Sequence, residues 1–262
     1  MLGKGGFMLI TIDIGNSYIS FGGYEGEKLE FVSDIVTDSR KATDQYAVEM
    51  GNIMRLYNID FSKIDGGIIS SVVPELTDVI KNAVKKLCKI ECIIVGPGVK
   101  SGININIDNP AQLGADTVAE AVAAIAKFSC PCVICDLGTA TVLGIIDKNK
   151  NFSGVIIAAG VGTTSAVFSK STALLPHVSI DEPKRLIGKN TVNSVQSGLI
   201  YGTAAMIDGL ISRIERELGE KPTVVATGKM TDKIIPHCDS KIIIADYLVF
   251  EGLRLIYEKN QK

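Results

Sequence analysis

Two short segments of this chain obey one rule. Ile12-Asp13-Ile14-Gly15-Asn16-Ser17 and Cys135-Asp136-Leu137-Gly138-Thr139-Ala140 each place an acid at the end of an apolar run. An apolar residue, a glycine and a small polar or hydroxyl-bearing residue then follow. Each segment belongs to a set of three strand-like runs: 8–13, 18–24 and 28–36 in the first half, and 132–136, 139–147 and 152–158 in the second, where Lys148-Asn-Lys-Asn151 makes a hairpin turn. The two acids lie 123 residues apart. That is far beyond the repeat of a solenoid, which is roughly 20–50 residues, so the pattern predicts a duplicated domain with a cleft between the copies.

Helical periodicity follows each set. Tyr46, Met50, Ile53, Met54 and Tyr57 recur at helical spacing over 42–57, and Pro74 starts a helix that runs to 87, with strands over 67–73 and 90–95. In the second half, helices are expected over 162–174, 194–218 and 247–257, and a strand over 223–228 that ends in a glycine turn. The fold class is therefore α/β. With 262 residues the chain fits an N-terminal domain over 8–110 and a C-terminal domain over 111–262, with 1–7 as an extra segment ahead of Met8.

Charge and cysteine usage exclude several classes. Twenty-seven Lys and Arg nearly cancel 29 Asp and Glu, leaving no electrostatic footprint for nucleic acid or an anionic membrane. Every apolar run is broken well short of the roughly 18 residues a membrane span needs. Six cysteines without secretory features predict free thiols in a reducing cytoplasm. Cys132 and Cys135 have C-x-x-C spacing, but on a strand that odd spacing points them to opposite faces, and no second knuckle accompanies them. His177 and His237 read as surface residues near prolines.

A glycine after a strand-end Asp lets the backbone turn tightly and present its N–H groups, while Asn or Thr adds a side-chain donor. Two such turns suit a polyphosphate, and their carboxylates suit a metal ion or its waters. For either copy alone, an ordinary hairpin in which Asp and Gly serve turn geometry is the simpler reading. The second copy shifts the balance, as does a third small-residue turn at Val225-Ala-Thr-Gly-Lys229 suited to abut an adenine.

Asp13-Ile-Gly-Asn-Ser17, Asp108-Asn-Pro110, Gly114-Ala-Asp116, Asp136-Leu-Gly-Thr-Ala-Thr141, Gly188-Lys-Asn-Thr191, Gln196-Ser-Gly-Leu-Ile-Tyr-Gly202, Asp208-Gly-Leu-Ile211 and Ala226-Thr-Gly228 occur in that order. In this the chain resembles the actin, heat-shock cognate and sugar kinase superfamily, and within it the type III pantothenate kinases, over essentially 8–260. The resemblance implies a duplicated actin-like (ribonuclease H-like) ATPase fold that phosphorylates pantothenate to 4′-phosphopantothenate, the first step toward coenzyme A. It implies ATP, Mg2+ and a monovalent cation, K+ or NH4+, as cofactors. The segment Asp13, Ile14, Gly15, Asn16, Ser17, Tyr18, Ile19 and Ser20 would meet the phosphates, with Thr139 in the second phosphate segment and Asp136 at the monovalent cation. Asp116 would be the general base, while its own residue type also reads as a helix N-cap ahead of 117–127. Gly114, Ala115, Asp116, Thr117 and Thr191 would line the acceptor pocket, Thr191 from across a homodimer interface. On its own residues, Asn190-Thr191 reads as a loop and helix cap, and the small-residue run 198–211 suits a buried core helix or a close-packed interface equally well.

Departures fall mostly on the acceptor side. Where the resembled family usually carries Arg after Gly-Ala-Asp and Tyr before Asp-Asn-Pro, this chain has Thr117 and Ile107. An Arg paired with a substrate carboxylate contributes about 2 to 4 kcal/mol, roughly 30- to 1,000-fold in affinity. Ser153-Gly154, Ala159-Gly160 and Gly228-Lys229 replace the family's Gly-Gly, Pro-Gly and Gly-Gly. A kinase for another small alcohol, or a nucleotide-binding regulatory protein, is the alternative expectation.

Overall fold

A computed structural model describes residues 7–171 and 178–261. The chain runs β1 (Met8–Ile14), β2 (Tyr18–Glu25), β3 (Lys28–Val36), α1 (Thr43–Leu56), β4 (Ile64–Ser71), α2 (Pro74–Cys88), β5 (Cys92–Ile94), β6 (Asn104–Ile105) and α3 (Ala115–Lys127). It continues through β7 (Cys132–Leu137), β8 (Ala140–Ile146), β9 (Asn151–Ala159), α4 (Val161–Ser171), α5 (Thr191–Leu218), β10 (Thr223–Thr227), α6 (Thr231–Ile234), β11 (Ile243–Ile244) and α7 (Leu248–Asn260). Among the described residues, no helix is long and apolar enough to cross a membrane.

Two sheets carry the elements, in strand orders β3-β2-β1-β4-β5 and β11-β10-β7-β8-β9-β6. In each, the strand bearing the repeated acid is flanked by an antiparallel hairpin partner (β2, β8) and by a parallel strand that comes later in the chain (β4, β10). Both acid-bearing strands are thus interior strands covered on both faces, which is why 10–12 and 132–135 are continuously buried instead of alternating. The first core gathers Ile10, Ile12, Ile14, Ile19 and Phe21 with Tyr46, Met50 and Met54 of α1 and Leu76 and Ile80 of α2. The second gathers Val133, Cys135, Leu137 and Leu143 with Leu199, Ile200, Ile207 and Ile211 of α5. The small-residue run in α5 therefore buries one face in a core.

The chain divides into two compact units that are discontinuous in sequence. The first comprises the chain up to Gly102, Asn109–Ala123 and the chain from Leu248 on; the second comprises Ile103–Asp108 and Ala124–Tyr247. A single boundary between 110 and 111 does not describe this, because most of α3 and all of α7 pack into the first unit. α7 lies against β1, β2 and β4. It is fastened by Arg254, whose guanidinium sits beside Glu251 at 2.9 Å and Glu258 at 2.5 Å while stacking 5.7 Å from the Tyr24 ring. Tyr24 Oη also donates to Glu251 at 3.3 Å.

Helix starts differ from the expected ones for local reasons. α5 begins at Thr191 because the Asn190 side chain accepts the Asn193 N–H at 2.9 Å. α3 begins at Ala115, since the Gly114 carbonyl already accepts the Val118 N–H at 3.0 Å. Asp116 therefore lies inside the first turn and is not the cap. The expected helix over 162–174 is α4 as far as Ser171; its remainder and His177 lie outside the described residues, as do residues 1–6.

Candidate active site

In the first unit, Asp13 is the next-to-last residue of β1, in register with Ser20 of β2 and Ser70 of β4. The Ser70 hydroxyl donates to Asp13 Oδ1 at 2.7 Å. Beyond Asp13 the chain reverses over Gly15 to Tyr18, with the Gly15 N–H bonded to the Tyr18 carbonyl at 3.0 Å. Thr37 clamps this turn from the end of β3: its hydroxyl donates to the Gly15 carbonyl at 2.7 Å and its N–H to the Ser17 carbonyl at 3.1 Å. Asn16, Ser17 and Tyr18 are exposed at the tip and Asp13 is half-buried. Ile14 and Ile19 are wholly buried in the core, so what they can offer a ligand is backbone alone. The Ser20 hydroxyl is turned to Asp34 of β3.

Asp116, half-buried at the head of α3, accepts the Thr117 N–H at 2.6 Å and lies 3.3 Å from the Thr117 hydroxyl, both through Oδ1. Thr117 thus supports the carboxylate beside it and brings no positive charge. Gly114, Ala115 and Ile107 are also half-buried.

In the second unit, Asp136 is the half-buried next-to-last residue of β7, in register with Val142 of β8 and Thr227 of β10. The turn after it is tighter than the first, with the Gly138 N–H on the Ala140 carbonyl at 3.0 Å. Two chain segments converge on it, 160–163 and 228–230. The Thr163 hydroxyl of α4 donates to the Thr139 carbonyl at 2.7 Å, and a β-carbon at Gly160 would stand 2.6 Å from the Gly138 carbonyl. Gly228 closes over Asp136 with φ +96°; a β-carbon there would collide with Asp136 Oδ1 and approach the Leu137 backbone to 2.7 Å. The Met230 N–H then bonds the Leu137 carbonyl at 3.1 Å. The turn expected at an adenine and the turn expected at phosphates are therefore packed side by side, with Asp136 half-buried and Thr139 exposed.

Thr191, exposed, is the first residue of α5 and not part of a loop. Asp208 of the same helix serves structure: its carboxylate accepts the N–H groups of Asp239 and Ser240 at 2.8 and 2.9 Å. The cysteines are free thiols. Burial pushes Cys132 and Cys135 up to about 12, far from a reactive thiolate. His237 packs edge-on against Tyr201, with ring centroids 5.0 Å apart. Among the described residues, no three His, Cys, Asp or Glu side chains group as a metal cage. Ser70, Thr37 and Thr163 belong to no sequence motif; strand register points to Ser70 alone, since Thr37 follows β3 and Thr163 lies in α4.

The family profile described as type III pantothenate kinase matches residues 9–213. The chain belongs to the type III pantothenate kinase family. A type III pantothenate kinase from Exiguobacterium sp. strain AT1b is 39% identical over 255 residues, spanning 97% of this chain and all of that protein. Among solved structures, the activator of 2-hydroxyisocaproyl-CoA dehydratase from Clostridium difficile superposes with a TM-score of 0.57 at 11% identity, covering 97% of each chain. MreB 5 of Spiroplasma citri, bound to AMPPNP, gives 0.56 at 10% identity, again covering 97% of each. These likenesses establish an actin-like ATPase fold with two sheet-containing domains.

Proposed function

We propose that this member of the type III pantothenate kinase family transfers the γ-phosphoryl group of ATP to the hydroxyl of pantothenate, giving 4′-phosphopantothenate and ADP for coenzyme A synthesis. The observation that carries this reading is the match at 39% identity along the whole length of a type III pantothenate kinase. The paired strand–Asp–turn units support it by supplying backbone donors and carboxylates of the kind phosphoryl transfer uses. The shared strand order of the two sheets supports reading the halves as copies of one ribonuclease H-like unit.

Residues 13–20 and Thr139 are assigned to the phosphates, and the turn at Gly228 to the adenosine end. Mg2+ would be held by phosphate oxygens with one or two carboxylates and waters, and the half-buried Asp13 carboxylate, held through Oδ1 by Ser70, fits that donor set. Bound there, it supplies neutralisation of phosphate charge. Asp13 is assigned to this ion or its waters. Asp136, half-buried under the Gly228 turn, is assigned to a K+ or NH4+ ion.

In the transfer step the pantothenate hydroxyl oxygen forms a bond to the γ-phosphorus as the bond to the ADP oxygen breaks, and the hydroxyl proton passes to the Asp116 carboxylate. Thr117 holds that carboxylate by its N–H. Gly114, Ala115, Thr117 and Thr191 are assigned to the acceptor, Thr191 from a second protomer of a homodimer. Exposed Leu186, Ile187 and Val192 flanking Thr191 favour that pairing.

Asp116→Asn tests the assignment of the base: nucleotide affinity is retained and turnover falls by about 100-fold or more. A variant as active as its parent removes Asp116 from the mechanism. A second reading, another small alcohol as acceptor, draws on Thr117, which leaves the pocket without the arginine that pantothenate's carboxylate would pair with.

A further inference from the structure

Ser70 lies in β4 with no exposed surface, among Gly66, Gly67, Ile68 and Ile69, where a hydroxyl contributes nothing to packing. Burying a hydroxyl without a partner costs about 1–3 kcal/mol, and the cost is offset only by the bond it makes. That bond goes to Asp13. Ser70 pairs with Asp13 in parallel register, so both side chains leave the same face of the sheet, and Ser70 Oγ stands 2.7 Å from Asp13 Oδ1 against 3.5 Å from the Ile12 carbonyl. The single hydroxyl proton therefore goes to the carboxylate, in a charge-assisted bond.

Its neighbour shows what a structural serine does here. The Ser71 hydroxyl accepts the Val73 N–H at 3.2 Å and the Thr77 hydroxyl at 2.8 Å, organising the start of α2. Ser70 is instead directed at the strand-end acid. The placement recurs in the other sheet, where Thr227, nearly buried, occupies the parallel strand in register with Asp136.

We infer that Ser70 is a positioning residue for the phosphoryl-transfer site: by fixing Oδ1 it sets the rotation of the Asp13 carboxylate and thereby the direction of its second oxygen toward the metal–phosphate group. This rests on the assignment of Asp13 to Mg2+ or its waters. A partner that orients a metal-directed carboxylate typically changes metal affinity or activity by about 10- to 100-fold when lost.

The test measures binding of a non-hydrolysable ATP analogue by calorimetry, with and without Mg2+, for the full chain and for Ser70→Ala and Ser70→Cys. Cysteine keeps the side chain's shape and weakens the donor, so it covers the case in which the alanine variant folds poorly. The inference expects the Mg2+ concentration for half-saturation to rise about 10- to 100-fold in Ser70→Ala and by less in Ser70→Cys, with metal-free nucleotide affinity unchanged. An unchanged Mg2+ requirement overturns it, as does an equal loss with and without metal, since either leaves Ser70 a purely structural residue. This binding readout needs no acceptor: failure of the parent to phosphorylate pantothenate removes the substrate assignment and leaves the Ser70 result standing on its own.

Discussion

Replacing Gly228 by alanine strikes the point where the second unit's turns meet. At φ +96° the residue holds a conformation that costs an L side chain about 1–2 kcal/mol. The new β-carbon would also collide with Asp136 Oδ1 and press within 2.7 Å of Leu137, whose backbone cannot yield as a flexible side chain would. Overpacking of this kind costs about 1–3 kcal/mol. Together they amount to about 3 kcal/mol, which for a chain of this size lowers the unfolding temperature by about 6–12 °C. The functional effect is separate from the loss of stability. Displacing Leu137 moves the carbonyl that Met230 donates to and the turn carrying Thr139, and a 1 Å misplacement in such a site costs about 100-fold in turnover. Thermal unfolding followed by circular dichroism, paired with nucleotide titration and steady-state ATP turnover below the transition, reads both effects. A Gly228→Ala protein that melts with its parent and binds nucleotide equally well would refute the packing of the glycine turn over Asp136.

Restoring the missing cation with Thr117→Arg lowers the KM for pantothenate by about 30-fold; an unchanged or higher KM in steady-state kinetics means the acceptor is not read from this position. Arg254→Ala leaves Glu251, whose side chain is 13% exposed, without its cation and destabilises the first unit by about 3–5 kcal/mol in urea titrations, and a loss under 1 kcal/mol contradicts the role given to α7. Burial raises Cys92, Cys132 and Cys135 from 9.0 to about 12, so their contribution to stability is complete below pH 9 and is lost as pH rises toward 12. Urea midpoints should hold steady to about pH 9 and then fall; a flat profile to pH 11 counts against this. Iodoacetamide at neutral pH should label Cys130, which is only partly buried, ahead of Cys132 and Cys135, as read by mass spectrometry.

Much of the fold and the repeated turns could be read from local pattern. Interior strands such as β1 and β7 show continuous apolar runs, and their Asp–x–Gly endings mark the turns whichever partners they later find. The path of the chain was harder to see. The stripe of Leu248, Leu253 and Ile256 predicts a helix, but nothing local says that it returns to the first sheet, because Tyr24, which Glu251 and Arg254 engage, lies 227 residues before Glu251. Two-residue strands such as β6 and β11 are too short for any periodicity. Asp is a common cap, so the residue type predicts a helix start at Asp116, whereas the Gly114 carbonyl takes that position and leaves the Asp116 carboxylate two residues further into the helix. Ser70 needed strand register, which depends on β4 pairing with β1 across 57 residues of sequence.

The most direct test of the account is ATP turnover with and without pantothenate, in Mg2+ with K+ or NH4+, with the product identified by mass and Asp116→Asn run in parallel. The account predicts phosphopantothenate from the parent and essentially none from the variant. ATP binding with no pantothenate-dependent product would contradict it and assign the site to a different acceptor.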